Sequence, residues 1–185
     1  MRPIKNQGLL LQKVTGAKNN FKFLASKVLS GDTSNMEAVT ANFYWKSFFE
    51  QGFKRERFGD YPNNFLNYGY AVLRAAVARA LSGSGLLNAL GIHHKSKYNA
   101  FALADDIMEP FRPFVDEAVH TIMQHYDEQE LNTEIKSALL QILTLTVYFK
   151  NEMSPLMVAL QKTASSLQQC FIRKRKKIKY PKLWN

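Results

Sequence analysis

The sequence predicts an all-α domain on two observations. Glycine and proline are sparse, at 9 and 6 of 185 residues, and apolar residues recur mostly at three- and four-residue spacing, the period of a helix with one buried face. A first helix is expected from Ile4 to Val14 around Leu9, Leu10 and Val14, and a second from Asn19 to Leu29 around Phe21, Leu24, Ala25 and Val28. The third opens at Ser34, where Ser34-Asn35-Met36-Glu37 matches a capping box, and runs through Met36, Val39, Ala41, Phe43 and Tyr44 towards Phe49, with Gly52 as its stop. Basic residues, glycine, aromatics and a proline mix between Gln51 and Pro62, which suits a connecting loop. Asn64 to Leu81 reads as a long central helix: Leu66, Tyr70, Leu73 and Val77 form one stripe, and Ala71, Ala75 and Ala78 permit a neighbour's close approach.

Gly83 and Gly85 interrupt that helix, Leu86 to Leu90 suits a short helical turn, and Gly91 to Asn99 is a polar loop. A further helix is expected from Ala100 to His125, bent at Pro110 and Pro113, where each ring removes a backbone donor. Two more follow, Thr133 to Leu145 and Ser154 to Phe171, the latter opened by the cap pair Ser154-Pro155. From Arg173 the basic run RKRKKIK leads into a Tyr180-Pro181 tail expected to pack late or not at all. The expected division is therefore a helical domain over 1–172 and a basic tail over 173–185.

At 46% hydrophobic and 22% charged residues, the chain can bury one sizeable core. A formal charge of +10 attracts polyanions, either nucleic acid or an anionic membrane surface. The single cysteine, Cys170, excludes an intramolecular disulfide framework and a cysteine-rich zinc site, and points to a reducing compartment, the cytoplasm. Neither a cleavable leader nor an apolar run of membrane-spanning length is present, so no membrane partner is expected.

Three groups could carry chemistry: Glu37 near a helix start, the His93-His94 pair in a loop, and Asp105, Asp106 and Glu109 on another helix. Asp106 and Glu109, three apart, share a helix face, while Asp105 points elsewhere. One imidazole with two or more carboxylates suits Mg²⁺ or Mn²⁺, the nitrogen tilting the set towards Mn²⁺. Such an ion serves phosphodiester chemistry by polarising the phosphoryl group and placing an attacking oxygen. Plain structural explanations compete: Glu37 completes a capping box, the histidines sit solvated beside Lys95 and Lys97, and the acidic cluster forms a hydrated face. Spacing does not choose between them.

Basic residues gather at Lys54, Arg55 and Arg57, at Lys95 and Lys97, and from Arg173 to Lys179. The first two groups flank the candidate site and could neutralise phosphates of a duplex; solvated loops and an unstructured tail explain them equally well. Phe43, Tyr44, Trp45, Phe48 and Phe49 have helical spacing and are expected in the core, not on a base-stacking platform.

The pieces LNYGYAVLRA, LGIHHKSKYN and LADDIMEPFRP, within the stretch from Asn63 to Asp116, resemble in order and spacing the central block of the CRISPR-associated integrase that inserts new spacers, in the form found with type II systems. Upstream, NMEAVTANFYWKSFF resembles the helix that bears the family's catalytic glutamate; downstream, SPLMVALQKTASSLQQCF and YPKL are similar to its closing segments. The resemblance implies that Glu37, His94 and Glu109 are catalytic and hold the metal, Mg²⁺ or Mn²⁺. His94 is preferred over His93 because the family histidine stands three residues after the glycine here at Gly91. Asp106 matches an acidic position beside the site, in support of the ligands. Tyr68, Lys97 and Arg112 fall where relatives approach the site or its basic strip, as DNA contacts.

The activity implied is transesterification: donor 3′-hydroxyls are joined to the CRISPR repeat, with no covalent enzyme intermediate. Implied partners are double-stranded donor DNA, CRISPR repeat DNA, a second copy of the chain and a small companion subunit, in a prokaryotic cytoplasm. Family members begin with a β-rich domain that makes much of the homodimer. The KNQ at Lys5 to Gln7 resembles the start of the helical domain, so this chain is expected to correspond to that domain alone, which leaves dimerisation open. Two other readings stay in play: a catalytically silent DNA- or protein-binding module, and a general metal-dependent nuclease.

Overall fold

The computed structural model describes residues 2–16, 19–27, 36–49, 53–94, 96–149 and 152–182. Within them the chain forms α1 (Arg2–Thr15), α2 (Phe21–Lys27), α3 (Met36–Phe48), α4 (Asn63–Gly83), α5 (Ala102–Met108), α6 (Arg112–His125), α7 (Thr133–Leu140), β1 (Thr146–Phe149), β2 (Glu152–Pro155) and α8 (Leu156–Phe171). The capping box at Ser34 lies outside the described residues apart from the backbone of Met36 and Glu37 in the first turn of α3.

At 21 residues, and so ~31 Å long, α4 is the axis of the fold, with α5, α6, α7 and α8 all packed on it. Its expected stripe is buried: Leu66, Leu73 and Val77 are at most 1% exposed and Tyr70 is 8% exposed. The alanines expected to admit a neighbour divide, Ala78 buried and Ala71 and Ala75 exposed. Close approach falls instead at Gly69, where a Cβ would lie 2.5 Å from Val115 Cγ1 on α6. A second layer packs α1 on α2, α3 and α6. Of the aromatics expected in the core, Tyr44 and Phe48 on α3 and Phe49 just beyond it are buried and Trp45 packs against them, but Phe43 is half exposed.

The helix expected from Ala100 to His125 is broken, not bent. Glu109–Phe111 form one 3₁₀ turn between α5 and α6. Pro110 and Pro113 both stand in the first turn of their elements, where a missing N–H costs nothing because no helical partner exists for it. A 3₁₀ turn over Gln141–Thr144 likewise ends α7 early, and its start is capped by Asn132 Oδ1, which accepts from the Ile135 N–H. Over Leu86 to Leu90 the chain makes one hydrogen-bonded turn, Leu90 N–H to the Leu87 carbonyl at 3.2 Å, without forming a regular helix.

The fold is mostly helical, but the antiparallel hairpin of β1 and β2 corrects the all-α expectation. Ser154-Pro155, expected to open a helix, closes β2 instead, and α8 starts at Leu156. Nor does the segment after α8 hang free. The Lys179 N–H donates to the buried Ser166 Oγ at 2.8 Å, Tyr180 packs on Phe111, and Lys182 bridges to Tyr148. The tail expected to stay loose is thus tied down from Ile178 by its apolar side chains, while Arg173, Lys174, Lys176 and Lys177 remain exposed. No helix of the described residues is long and apolar enough to cross a membrane.

Candidate active site

The loop between α4 and α5 carries His94, and a carboxylate on α5 organises it. Asp106 accepts four hydrogen bonds from that loop: backbone N–H groups of Ile92 and His93 on Oδ2, and the N–H and ring of His94 on Oδ1. Burial alone would raise its pKa, yet these bonds, His93 N–H foremost, hold it below the usual carboxylate range. Its side chain is only 2% exposed, whereas that of His94 is 47% exposed. The His94 Nδ1 lies 2.6 Å from Oδ1. An ionised carboxylate can only accept, so Nδ1 carries the proton, and in the neutral ring Nε2 keeps its lone pair on the opposite side. That is the arrangement in which an imidazole serves as a metal ligand. Gly91 permits it: a Cβ there would lie 2.2 Å from the His94 carbonyl oxygen.

Glu109 follows at the start of the 3₁₀ turn, with Oε1 2.8 Å from Arg112 Nη2. The Arg112 guanidinium lies 5.0 Å from the Tyr70 ring centroid, and its buried Nε has no hydrogen-bond partner. This expected DNA contact is therefore engaged within the fold at Glu109 and Tyr70, with its side chain 38% exposed. Tyr68 is half buried on α4, and Lys97 is exposed with Nζ 5.1 Å from the Tyr98 ring. Asp105 accepts from Asn99 Nδ2 at 2.8 Å.

Of the sequence-derived ligand set the structure joins His94 to Asp106 and pairs Glu109 with Arg112. The Glu37 backbone stands in the first turn of α3, and its side chain lies outside the described residues, as does Lys95. Among the described residues no three His, Cys, Asp or Glu side chains form a group able to hold a metal.

Sequence reasoning missed a buried polar knot beside this site. Asp116 on α6 is fully buried and takes one tyrosine hydroxyl on each oxygen, Tyr44 at 2.7 Å on Oδ2 and Tyr70 on Oδ1. Burial pushes Asp116 up to about 6, against the lowering effect of those hydroxyls, Arg112 and Arg55. Arg55 reaches over Tyr70 and bonds Asn63 and Asn67. A carboxylate among Phe114, Val115, Val119 and Ile122, all buried, is the signal that could have found it.

Fold and site together define a basic helical domain built around a carboxylate-oriented imidazole. The model of the family described as CRISPR associated protein Cas1 matches residues 10–147, and the chain belongs to that family. A "CRISPR-associated endonuclease Cas1" from Neisseria meningitidis is 40% identical over 169 residues, 90% of this chain and 55% of that protein. The chain spans about half the length of the curated relatives it matches first. Two solved structures share the fold. A Cas1 protein from Thermotoga maritima has a TM-score of 0.78 at 20% identity, covering 94% of this chain and 66% of that one. A casposase bound to integration product has a TM-score of 0.81 at 21% identity, covering 100% and 61%.

Proposed function

We propose that this chain is the helical catalytic part of a CRISPR adaptation integrase, which joins 3′-hydroxyls of double-stranded donor DNA to CRISPR repeat DNA in the prokaryotic cytoplasm. The observation that carries the reading is the His94–Asp106 pair at 2.6 Å in a chain of the Cas1 family.

The residues fit a divalent cation: an imidazole whose proton is pinned on Nδ1, with the carboxylates of Glu109 and of Glu37 as the oxygen donors that Mg²⁺ or Mn²⁺ takes. Bound there, the ion supplies Lewis-acid polarisation of the target phosphodiester. Asp106 holds the ring by its Nδ1 proton and gathers the loop backbone around the same carboxylate. Arg112 fixes the Glu109 carboxylate in place through the 2.8 Å ion pair. Exposed Lys97 and half-buried Tyr68 are the DNA contacts of this reading, and the +10 charge draws the duplex in. In the transfer the donor 3′-oxygen forms a new bond to phosphorus and the bond from phosphorus to the target's 3′-oxygen breaks. The hydroxyl released takes up a proton equivalent to the one given up by the donor, and no bond to the protein forms. A second copy of the chain and the small companion subunit belong to the same reading as partners.

The test is strand transfer, and its reversal on branched DNA, with Mn²⁺. Wild-type protein yields joined or resolved product and His94→Ala abolishes it; unchanged activity of the purified variant rejects the assignment. Degradation of linear duplex without junction preference indicates a general nuclease instead, and metal-independent DNA binding without product indicates a binding module.

A further inference from the structure

We infer that Asp116 is a positioning residue for the candidate metal site, holding the helix that bears Glu37 at a fixed distance from Glu109 without touching the metal. The inference rests on the metal-site reading above and names what sets its geometry.

The two carboxylates of that reading come from different layers. Glu109 is in the layer built on α4, whereas Glu37 stands in α3, which packs chiefly on α1 and α2. Packing of α1 on α3, on α6 and on the turn of Glu109 already brings the two layers together, and what remains to be set is the position of α3 along and around its own axis. Tyr44 is fully buried on α3, seven residues or two turns beyond Glu37, and its hydroxyl donates to Asp116 Oδ2 at 2.7 Å. The other oxygen of Asp116, on α6, accepts from Tyr70 on α4. One carboxylate therefore pins three helices at a single point.

From that point the chain of contacts continues to the second ligand. Arg112 lies 5.0 Å from the Tyr70 ring and grips Glu109 at 2.8 Å. Glu109, Arg112, Tyr70, Asp116 and Tyr44 form one run of contacts ending on the helix of Glu37. The other direct ring contact described between α3 and α6 is Phe48 on His120, with centroids 5.1 Å apart, which involves no hydrogen bond to fix a direction. A buried carboxylate with both oxygens bonded is directional, and it is costly to leave half satisfied. Sliding or rotation of α3 would break the Tyr44 bond, so the position of Glu37 along and around its helix axis is tied to the α4–α6 frame.

The experiment measures Mn²⁺ affinity from the electron paramagnetic resonance signal of the free ion, without DNA, alongside the thermal midpoint of each protein. Variants are Tyr44→Phe, Asp116→Asn, Glu37→Gln and the double variant Tyr44→Phe with Glu37→Gln. Asp116→Asn keeps the shape and a bonding capacity, so it tests the idea if Tyr44→Phe fails to fold. Expected are a loss of affinity of about tenfold for Tyr44→Phe, in the range that outer partners of metal ligands give, and no further loss when it is added to Glu37→Gln. Lower thermal midpoints with wild-type Mn²⁺ affinity in both Tyr44→Phe and Asp116→Asn would make the knot merely structural and overturn the inference. An additive loss in the double variant overturns it too, because the effect then does not pass through Glu37. If Glu37→Gln itself leaves Mn²⁺ affinity unchanged, the metal-site reading falls, and the inference with it.

Discussion

His94 and Asp106 stand 2.6 Å apart, ring nitrogen to carboxylate oxygen, and the same carboxylate also receives the backbone N–H groups of Ile92, His93 and His94. One side chain therefore sets both the tautomer of the imidazole and the path of the loop that carries it. Replacing Asp106 by alanine frees both. Mn²⁺ affinity measured by titration is expected to fall ~10–100-fold, and an unchanged affinity would show that the ring is oriented by something else.

Gly91 tests the loop path separately. In Gly91→Ala the new methyl meets the His94 carbonyl oxygen at 2.2 Å and Ala102 Cβ at 2.8 Å, so the backbone near His94 has to move. Overpacking of this kind costs ~1–3 kcal/mol, read as a lower thermal midpoint. Strand transfer should be lost well beyond what the midpoint explains, while binding of duplex DNA persists. Full activity would mean that the loop relaxes without moving the imidazole.

The buried Asp116 predicts an unusual pH dependence of stability. Its folded-state pKa is pushed up to about 6, above the ~3.9 of an unfolded aspartate. The native state thus binds the extra proton, and this group's contribution is fully present below pH ~4 and lost as pH rises through ~6. At ~1.4 kcal/mol per pH unit between the two values, the loss is ~3 kcal/mol. Asp116→Asn cannot titrate. Urea unfolding of both proteins from pH 4 to pH 7 should show the wild type losing stability relative to the variant by that amount, and parallel curves would refute it.

Gly69 tests the contact that brings α4 against α6. Its substitution by alanine places a methyl 2.5 Å from Val115 Cγ1, with an expected cost of ~1–3 kcal/mol. Adding Val115→Ala should restore part of it. Losses that simply add would place the strain elsewhere, since only neighbours in contact couple.

Much of this was legible in the chain. The three-and-four spacing of Leu66, Tyr70, Leu73 and Val77 foretold the buried face of α4, and the resemblance of LGIHHKSKYN and LADDIMEPFRP foretold the loop of His94 beside the helix of Asp106. The hairpin was not foreseen. Thr146–Phe149 is β-branched and aromatic, but four residues carry too little periodicity to outweigh the helical pattern around them. A proline inside one continuous helical pattern predicts a bend, whereas Pro110 stands in the first turn of a new element, which local spacing does not reveal.

By itself, then, the sequence determined which faces are apolar, where α1, α4 and α8 start and stop to within a turn, and that the chain is basic enough to attract a polyanion, because these are read from the residues themselves and their neighbours a few positions away. Tertiary structure alone decided that Asp116 joins Tyr44 to Tyr70 and that Asp106 gathers the backbone before His94. Those bonds link residues up to 72 positions apart, and a buried carboxylate selects its partners from whatever donors the packed helices bring within reach, not from spacing along the chain.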